Sequence, residues 1–438
     1  MPSDAPAPAR TALDDARDLC AFVDASPTPY HAVAEVARRL AEHGYTELSE
    51  RDAWELEPGH KRYVRRGGGT IVAFVVGTEH PARSGFRMLG AHTDSPNLRI
   101  KPRPDVARSG YTQVGVEPYG GLIFATWLDR DLSIAGRVTL ARGDGLTESR
   151  LVDLVDPVAR IPNVAIHLNR GVNTDGLKLD AQKHLVPLLG VGKDAELAAR
   201  LARTLGEDTK DLLGFDLMVY DTQAAAIGGS SGELVYASRL DNLASCHAAT
   251  RALTDAGSFC SRATRVVVLY DHEECGSRSA VGAQGTILKD VLRRIVDAYP
   301  SPEPQAFERA MSQSFLVSAD MAHALHPNYA DLHEPQHQPM LGAGLVIKTN
   351  ANQSYATNGE TSARFAAACR AVGSEAQQFV VRSDLPCGST IGSITAAMLG
   401  VATVDVGAPM LSMHSCREMA AVADVPVAIA AYRRCLEA

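Results

Sequence analysis

Five short polar clusters in this 438-residue sequence carry side chains that could do chemistry together: His92-Thr93-Asp94, Asp241-Asn242, Asp271-His272-Glu273-Glu274, Asp320 and His414. They offer histidines, His92 and His414 foremost, and several carboxylates, with no cysteine among them. Imidazole with carboxylate oxygen suits zinc, manganese or cobalt and disfavours a thiolate site. Two ions held close together need a carboxylate that bridges them and leave room for a bridging water. Adjacent Glu273 and Glu274 cannot both point the same way on an extended backbone. One as ligand and the other as base is the natural division of labour. Asp94, two positions after His92, is placed to orient its ring.

The surrounding elements say how such distant residues would meet. Short apolar runs bounded by Gly or Pro read as strands at Thr70–Val76 and Phe86–Ala91. After about residue 236, helix and strand alternate. Leu243–Leu253, Ile287–Ala298 and Thr361–Val372 read as helices, and Arg265–Tyr270, Phe315–Ser318 and Ala402–Val406 as strands. Four of the five clusters lie just past a strand's C-terminal end, where an open α/β sheet binds its ligands. Asp241-Asn242 precedes a helix. The clusters converge on one edge of one sheet.

Residues 100–235 have a different texture. Alternating apolar segments at Tyr111–Val116, Gly136–Leu140, Leu151–Val155, Val164–Leu168 and Leu217–Asp221 are punctuated by glycine, proline and asparagine. The pattern implies an α/β domain, residues 1–99 and 236–438, carrying an inserted β-rich domain at 100–235. At the start, Leu13, Leu19, Phe22 and Val23 mark one helical stripe and Val33, Val36 and Leu40 another. Ser26-Pro27-Thr28-Pro29 separates the two.

Composition excludes several classes. With 43 basic residues against 51 acidic, the net charge of −8 argues against a nucleic-acid binder. No apolar run approaches the ~20 residues of a membrane span. Met1 to Arg10 lacks a basic start followed by an apolar core, so no signal peptide is expected. The eight cysteines, Cys260 among them, form no C-x-x-C pair, so reduced thiols in the cytoplasm are the plain expectation.

Longer stretches carry a resemblance. Gly90-Ala91-His92-Thr93-Asp94-Ser95-Pro96, Tyr119-Gly120-Gly121, Trp127-Leu128-Asp129-Arg130-Asp131 and Ser238-Arg239-Leu240-Asp241-Asn242 resemble signature blocks of the aspartyl aminopeptidases. So do Asp271-His272-Glu273-Glu274-Cys275-Gly276-Ser277, Ser318-Ala319-Asp320-Met321-Ala322-His323-Ala324, Pro386-Cys387-Gly388-Ser389-Thr390-Ile391-Gly392 and Met413-His414-Ser415. The blocks run in the family's order from about residue 20 to 430. The resemblance implies a zinc-exopeptidase-like mixed-sheet catalytic domain with an inserted dimerisation domain. It also implies a cytoplasmic two-metal aminopeptidase, most often with zinc, that removes N-terminal Asp or Glu from peptides. By position, it assigns His92, Asp241, Glu274, Asp320 and His414 as metal ligands, with Asp241 bridging, and Glu273 as general base. His323, Lys348 and Tyr355 would contact substrate, and His167 would reach the active site of a neighbouring subunit. Family members build homo-oligomers, dimers assembling into dodecamers.

Plainer readings stand beside these. A strand-end Asp or His is commonly a cap, and Glu-Glu an exposed acidic patch. His31, His43, His60, His80 and the remaining histidines carry no functional reading, and Cys275 and Cys416 read as small packed residues. Lys348 alone reads as an exposed lysine after a strand at Leu345–Ile347. In a strand Val164–Leu168, Val164, Ile166 and Leu168 share one face, with Ala165 and His167 on the other. The rival functions are a two-metal exopeptidase or deacylase of other specificity, and a non-catalytic assembly or cargo protein of the same fold. Lys348, a cation for an acidic side chain, separates the first rival. An intact Glu273 with a full ligand set counts against the second.

Overall fold

Four parallel strands form the middle of a nine-stranded mixed sheet in the computed structural model, which describes residues 10–192, 196–256 and 261–438. In spatial order these four are Thr264–Tyr270, Phe86–His92, Phe315–Ala319 and Ala402–Gly407. Thr70–Val75 and then Lys61–Arg66 extend the sheet by antiparallel pairing on one side. On the other, Val346–Lys348 pairs antiparallel with Ala402–Gly407, and Gln377–Phe379 pairs parallel with Val346–Lys348. Cys260 and residues 1–9 lie outside the described residues.

The sheet has a core on each face. Leu89, Ala91, Val267 and Leu269 join one apolar cluster, while Met88, Val266, Val268 and Tyr270 join the other. Strands covered on both faces read as continuous apolar runs, which is why these were legible in the sequence. Helix Ile287–Asp297 closes one face through Ile287, Leu288, Val291, Leu292, Ile295 and Val296, one stripe at helical spacing. Helix Leu240–Thr254 is buried along nearly its whole length and packs on the other. Two N-terminal helices, Ala12–Asp24 and Pro29–Glu42, are fastened to it by Asp18. That carboxylate lies 3.0 Å from Arg39 Nη1 and 2.9 Å from both His247 Nε2 and Arg251 Nη1.

A six-stranded antiparallel sheet runs from Leu146–Asp153 through Leu132–Arg142, Leu212–Asp221, Asn97–Arg108 and Tyr111–Tyr119 to Leu188–Val191. Leu98, Val114, Ile134, Val138, Leu217 and Val219 give it a core of its own, with Leu201 of helix Leu197–Leu205 packed in. A smaller five-stranded sheet joins Leu234–Ala237 to Glu418–Ala421 beside the main sheet.

Two local expectations change. Val164–Leu168 is no strand: Ile166–Leu168 is a 3₁₀ turn, and Val164, Ile166 and Leu168 are all exposed. Alternation makes a strand only where a neighbour pairs with it, and the nearest ladder contacts here are isolated bridges at Ala159 and Arg160. The strand expected at Leu151–Val155 is Leu146–Asp153, ending before Val155, which takes φ 62. No helix among the described residues is long and apolar enough to cross a membrane.

Candidate active site

The parallel register brings the polar clusters level. Tyr270 pairs with His92 and Ser318 with Gly90, so Asp271–Glu274, His92 and Asp320 all emerge at one edge. His414 arrives, at φ 66, in the loop after the short strand Pro409–Leu411 that follows Ala402–Gly407. Asp241 and Asn242 depart from helical geometry, and the regular helix begins at Leu243, as its pattern predicts.

Asp241 sits between the two imidazoles. Its Oδ1 is 3.4 Å from His92 Nε2, and its Oδ2 is 3.5 Å from His414 Nε2. His92 Nε2 also lies 3.4 Å from Asp320 Oδ1 and 3.9 Å from Glu273 Oε2. His414 Nε2 lies 3.4 Å from Glu274 Oε1. Ligand atoms of His92, Asp241 and Glu274 all fall within 4.8 Å of one another. Each Nδ1 faces a backbone carbonyl at 2.9 Å: Asp94 for His92, Gly121 for His414. A carbonyl only accepts, so each ring carries a hydrogen there and turns Nε2 toward the carboxylates. Asp241 Oδ1 and Glu274 Oε1 are buried without a hydrogen bond. Orphaned carboxylate oxygens beside imidazole nitrogens, with no thiolate, fit a divalent cation such as zinc.

Charge balance points the same way. Burial pushes Glu273 well above the usual carboxylate range; Asp320, Glu274 and Asp94 add to this, against the pull of His92. Burial and the charge of Asp241 push Glu274 up to about 7, despite His414. Asp241 is held low, because His414 and His92 outweigh its burial. Burial disfavours the charged form of His414, yet Asp241 and Glu274 raise it to about 11. Carboxylates crowd two rings, and a bound cation would relieve that repulsion.

Asp94 does more than face His92. Its carboxylate Oδ1 stands 3.5 Å from His92 Nδ1, but its bonds go elsewhere. The backbone N–H groups of Glu273 and Glu274 donate to its two oxygens at 3.1 Å each, and the Tyr119 hydroxyl donates to Oδ2 at 2.6 Å. The following glycines allow the antiparallel sheet to come close. A Cβ on Gly120, at φ 75, would stand 3.1 Å from Glu274 Cβ, and one on Gly121 would stand 3.3 Å from His414 Nδ1.

A cavity of about 380 Å³ opens over this cluster, with His323, Lys348 and Tyr355 on its wall. Lys348 is not the exposed lysine of its plain reading. It belongs to strand Val346–Lys348, is 2% exposed, and lies 5.2 Å over the Tyr355 ring. Burial, with Lys348 nearby, pushes the His323 imidazole down toward its neutral form. His167 is exposed and does not line this cavity. Cys416 is buried, but Cys275 is exposed rather than packed. Sequence reasoning missed Glu418, a buried carboxylate that accepts backbone hydrogens from Asp241 and His414. The available signal was an acidic residue opening the apolar strand Glu418–Ala421.

A cation-fitting histidine–carboxylate centre beyond the carboxyl ends of a mixed α/β sheet marks a metal-dependent hydrolase. Residues 22–435 match the M18 family, aminopeptidase I zinc metalloproteases, and the chain belongs to that family. It is 50% identical over 414 residues to a probable M18 family aminopeptidase 2 of Pseudomonas aeruginosa, covering 93% of this chain and 94% of the relative. A probable aspartyl aminopeptidase of Ricinus communis is 45% identical, with 93% and 92% covered. Among solved structures, that of the Ape4 and Nbr1 complex superposes with TM-score 0.93 at 41% identity, over 97% of this chain and 86% of that one. The S. cerevisiae mApe1 dodecamer gives 0.86 at 29% identity, with 96% of each chain covered. The expected α/β architecture and zinc aminopeptidase class are borne out.

Proposed function

We propose that this M18 aminopeptidase uses two divalent ions, most often zinc, to remove Asp or Glu from peptide N-termini. The observation that carries the reading is Asp241, each of whose oxygens faces a different imidazole. His92 and Asp320 would hold one ion and His414 and Glu274 the other, with Asp241 bridging. Bound there, such ions supply Lewis-acid polarisation of the scissile carbonyl and acidify the attacking water.

The chain's own residues do the rest. Glu273 is the general base: its carboxylate takes the proton of the attacking water and returns it to the leaving amine, a role contributing roughly 10²–10⁴-fold. Asp94 fixes the backbone of Glu273 and Glu274, so that base and ligand keep their separate directions. His323, Lys348 and Tyr355 bind the N-terminal residue, Lys348 pairing with its side-chain carboxylate. His167 acts in a neighbouring subunit, with residues 100–235 as the dimerisation unit. The dodecameric yeast neighbour supports a homo-oligomer. A cytoplasmic location agrees with the unpaired state of the described cysteines.

One observation favours a second reading, an aminopeptidase without acidic preference: the Lys348 ammonium already pairs with Asp320. Hydrolysis of a panel of N-terminal aminoacyl substrates, with metal content measured before and after chelation, decides both points. Activity surviving complete metal removal overturns the metal centre. Equal rates on acidic and neutral N-termini overturn the acidic preference.

A further inference from the structure

We propose that Glu418 is a positioning residue that sets the spacing between Asp241 and His414. The inference rests on reading both of those as metal ligands. Glu418 is 2% exposed, and its Oε2 accepts the backbone N–H of Asp241 at 3.0 Å while its Oε1 accepts that of His414 at 2.8 Å. One carboxylate therefore ties together two residues 173 positions apart in the chain. Both hold irregular backbone: His414 at φ 66 and Asp241 at φ −82, ψ 105 at the mouth of its helix. Neither element's own ladder would keep them there.

The strand Glu418–Ala421 explains the reach. It pairs antiparallel with Leu234–Ala237, and Ala237 lies opposite Glu418, four residues before Asp241. Each oxygen serves one donor, so both acceptors are needed. A glutamine offers one carbonyl and sets its NH₂ against the other backbone N–H. Among the described residues no lysine or arginine side chain forms an ion pair with Glu418. A buried carboxylate held by two N–H groups alone is expensive as mere packing, and an apolar residue there would serve stability at least as well. Its position behind the bridging aspartate gives it a use.

The test is zinc affinity of the purified full-length protein, by competition with a chromogenic chelator, alongside circular dichroism of the metal-free form. Glu418→Gln is expected to keep the wild-type spectrum and to weaken zinc binding about 10–100-fold. In a His414→Ala background the same change should cost distinctly less, because one of the two positioned ligands is already gone. Glu418→Asp, with both acceptors on a shorter arm, replaces the glutamine variant if that fails to fold, and should also weaken binding. Wild-type zinc affinity in a folded variant, or an equal loss in both backgrounds, overturns the proposal. His414→Ala and Asp241→Asn alone separate the two levels. Unchanged zinc affinity in both means the ligand reading fails. Lost affinity there, with wild-type affinity in the Glu418 variants, means only the positioning role fails.

Discussion

Lys348 Nζ lies 3.1 Å from Asp320 Oδ2 and 3.2 Å from the Met321 carbonyl, which it meets as a donor. The cavity's buried ammonium is thus anchored at a carboxylate proposed to hold metal. A substrate carboxylate entering here must share or displace that contact. Lys348→Ala is expected to lower kcat/KM for N-terminal Asp or Glu by roughly 10²-fold, from about 3 kcal/mol of lost pairing, and to affect neutral N-termini far less. Steady-state kinetics on matched substrates check it. Equal losses would assign Lys348 to Asp320 rather than to selectivity.

The adjacent glutamates should fail differently. Glu273→Gln keeps shape but loses the proton acceptor, so turnover should fall by at least 10²-fold with metal retained. Glu274→Gln should lose metal instead, since a neutral amide is a poorer ligand. Elemental analysis of the two purified variants distinguishes them. A reversed pattern means base and ligand are exchanged.

His167 gives a test of sharing between subunits. It lies in an exposed turn flanked by Ile166 and Leu168, the latter 81% exposed. His167→Ala and Glu273→Gln should each be inactive. Dissociated, mixed and reassembled, they should recover part of the activity, because one mixed site pairs an intact Glu273 with an intact His167 from the other chain. Mixed oligomers of inactive parents that stay inactive would place His167 outside a shared site.

Asp18 carries a pH-dependent share of stability. Burial would raise its pKa, but His247, Arg39 and Arg251 outweigh it and hold the carboxyl well below the usual range. A depressed folded pKa stabilises above the unfolded value near 4 and is lost as pH falls through the folded one. Asp18→Asn should therefore cost about 1–3 kcal/mol at pH 7, and less from pH 4 downward. Urea unfolding of both proteins at several pH values measures the gap. A gap independent of pH would trace the effect to packing instead of charge.

Much of the molecule was readable from residues alone, and for a definite reason. Phe86–His92 and Thr264–Tyr270 are buried on both faces, so their apolar runs announce them, and the clusters at their ends follow. Leu243 was legible as a helix start because Asp241 and Asn242 break the pattern before it. Glu418 and the Asp94–Tyr119 bond were not. Their partners are backbone groups and side chains far off in sequence, and such pairing leaves no periodicity. Val164–Leu168 misled because alternation reports a face only where another strand supplies one.

The strands that deliver His92, Asp271–Glu274 and Asp320 enter the sheet out of chain order, and the loop to His414 follows the last of the four to be made. Gly121, in the bend after strand Tyr111–Tyr119 of the other sheet, must close on His414 before that ring is steered. The residues proposed to form the centre span 92–414, so no short contiguous fragment holds them all. On the proposed ligand set, a chain released before residue 414 would lack one of its ligands, so cutting power would arrive only late in synthesis.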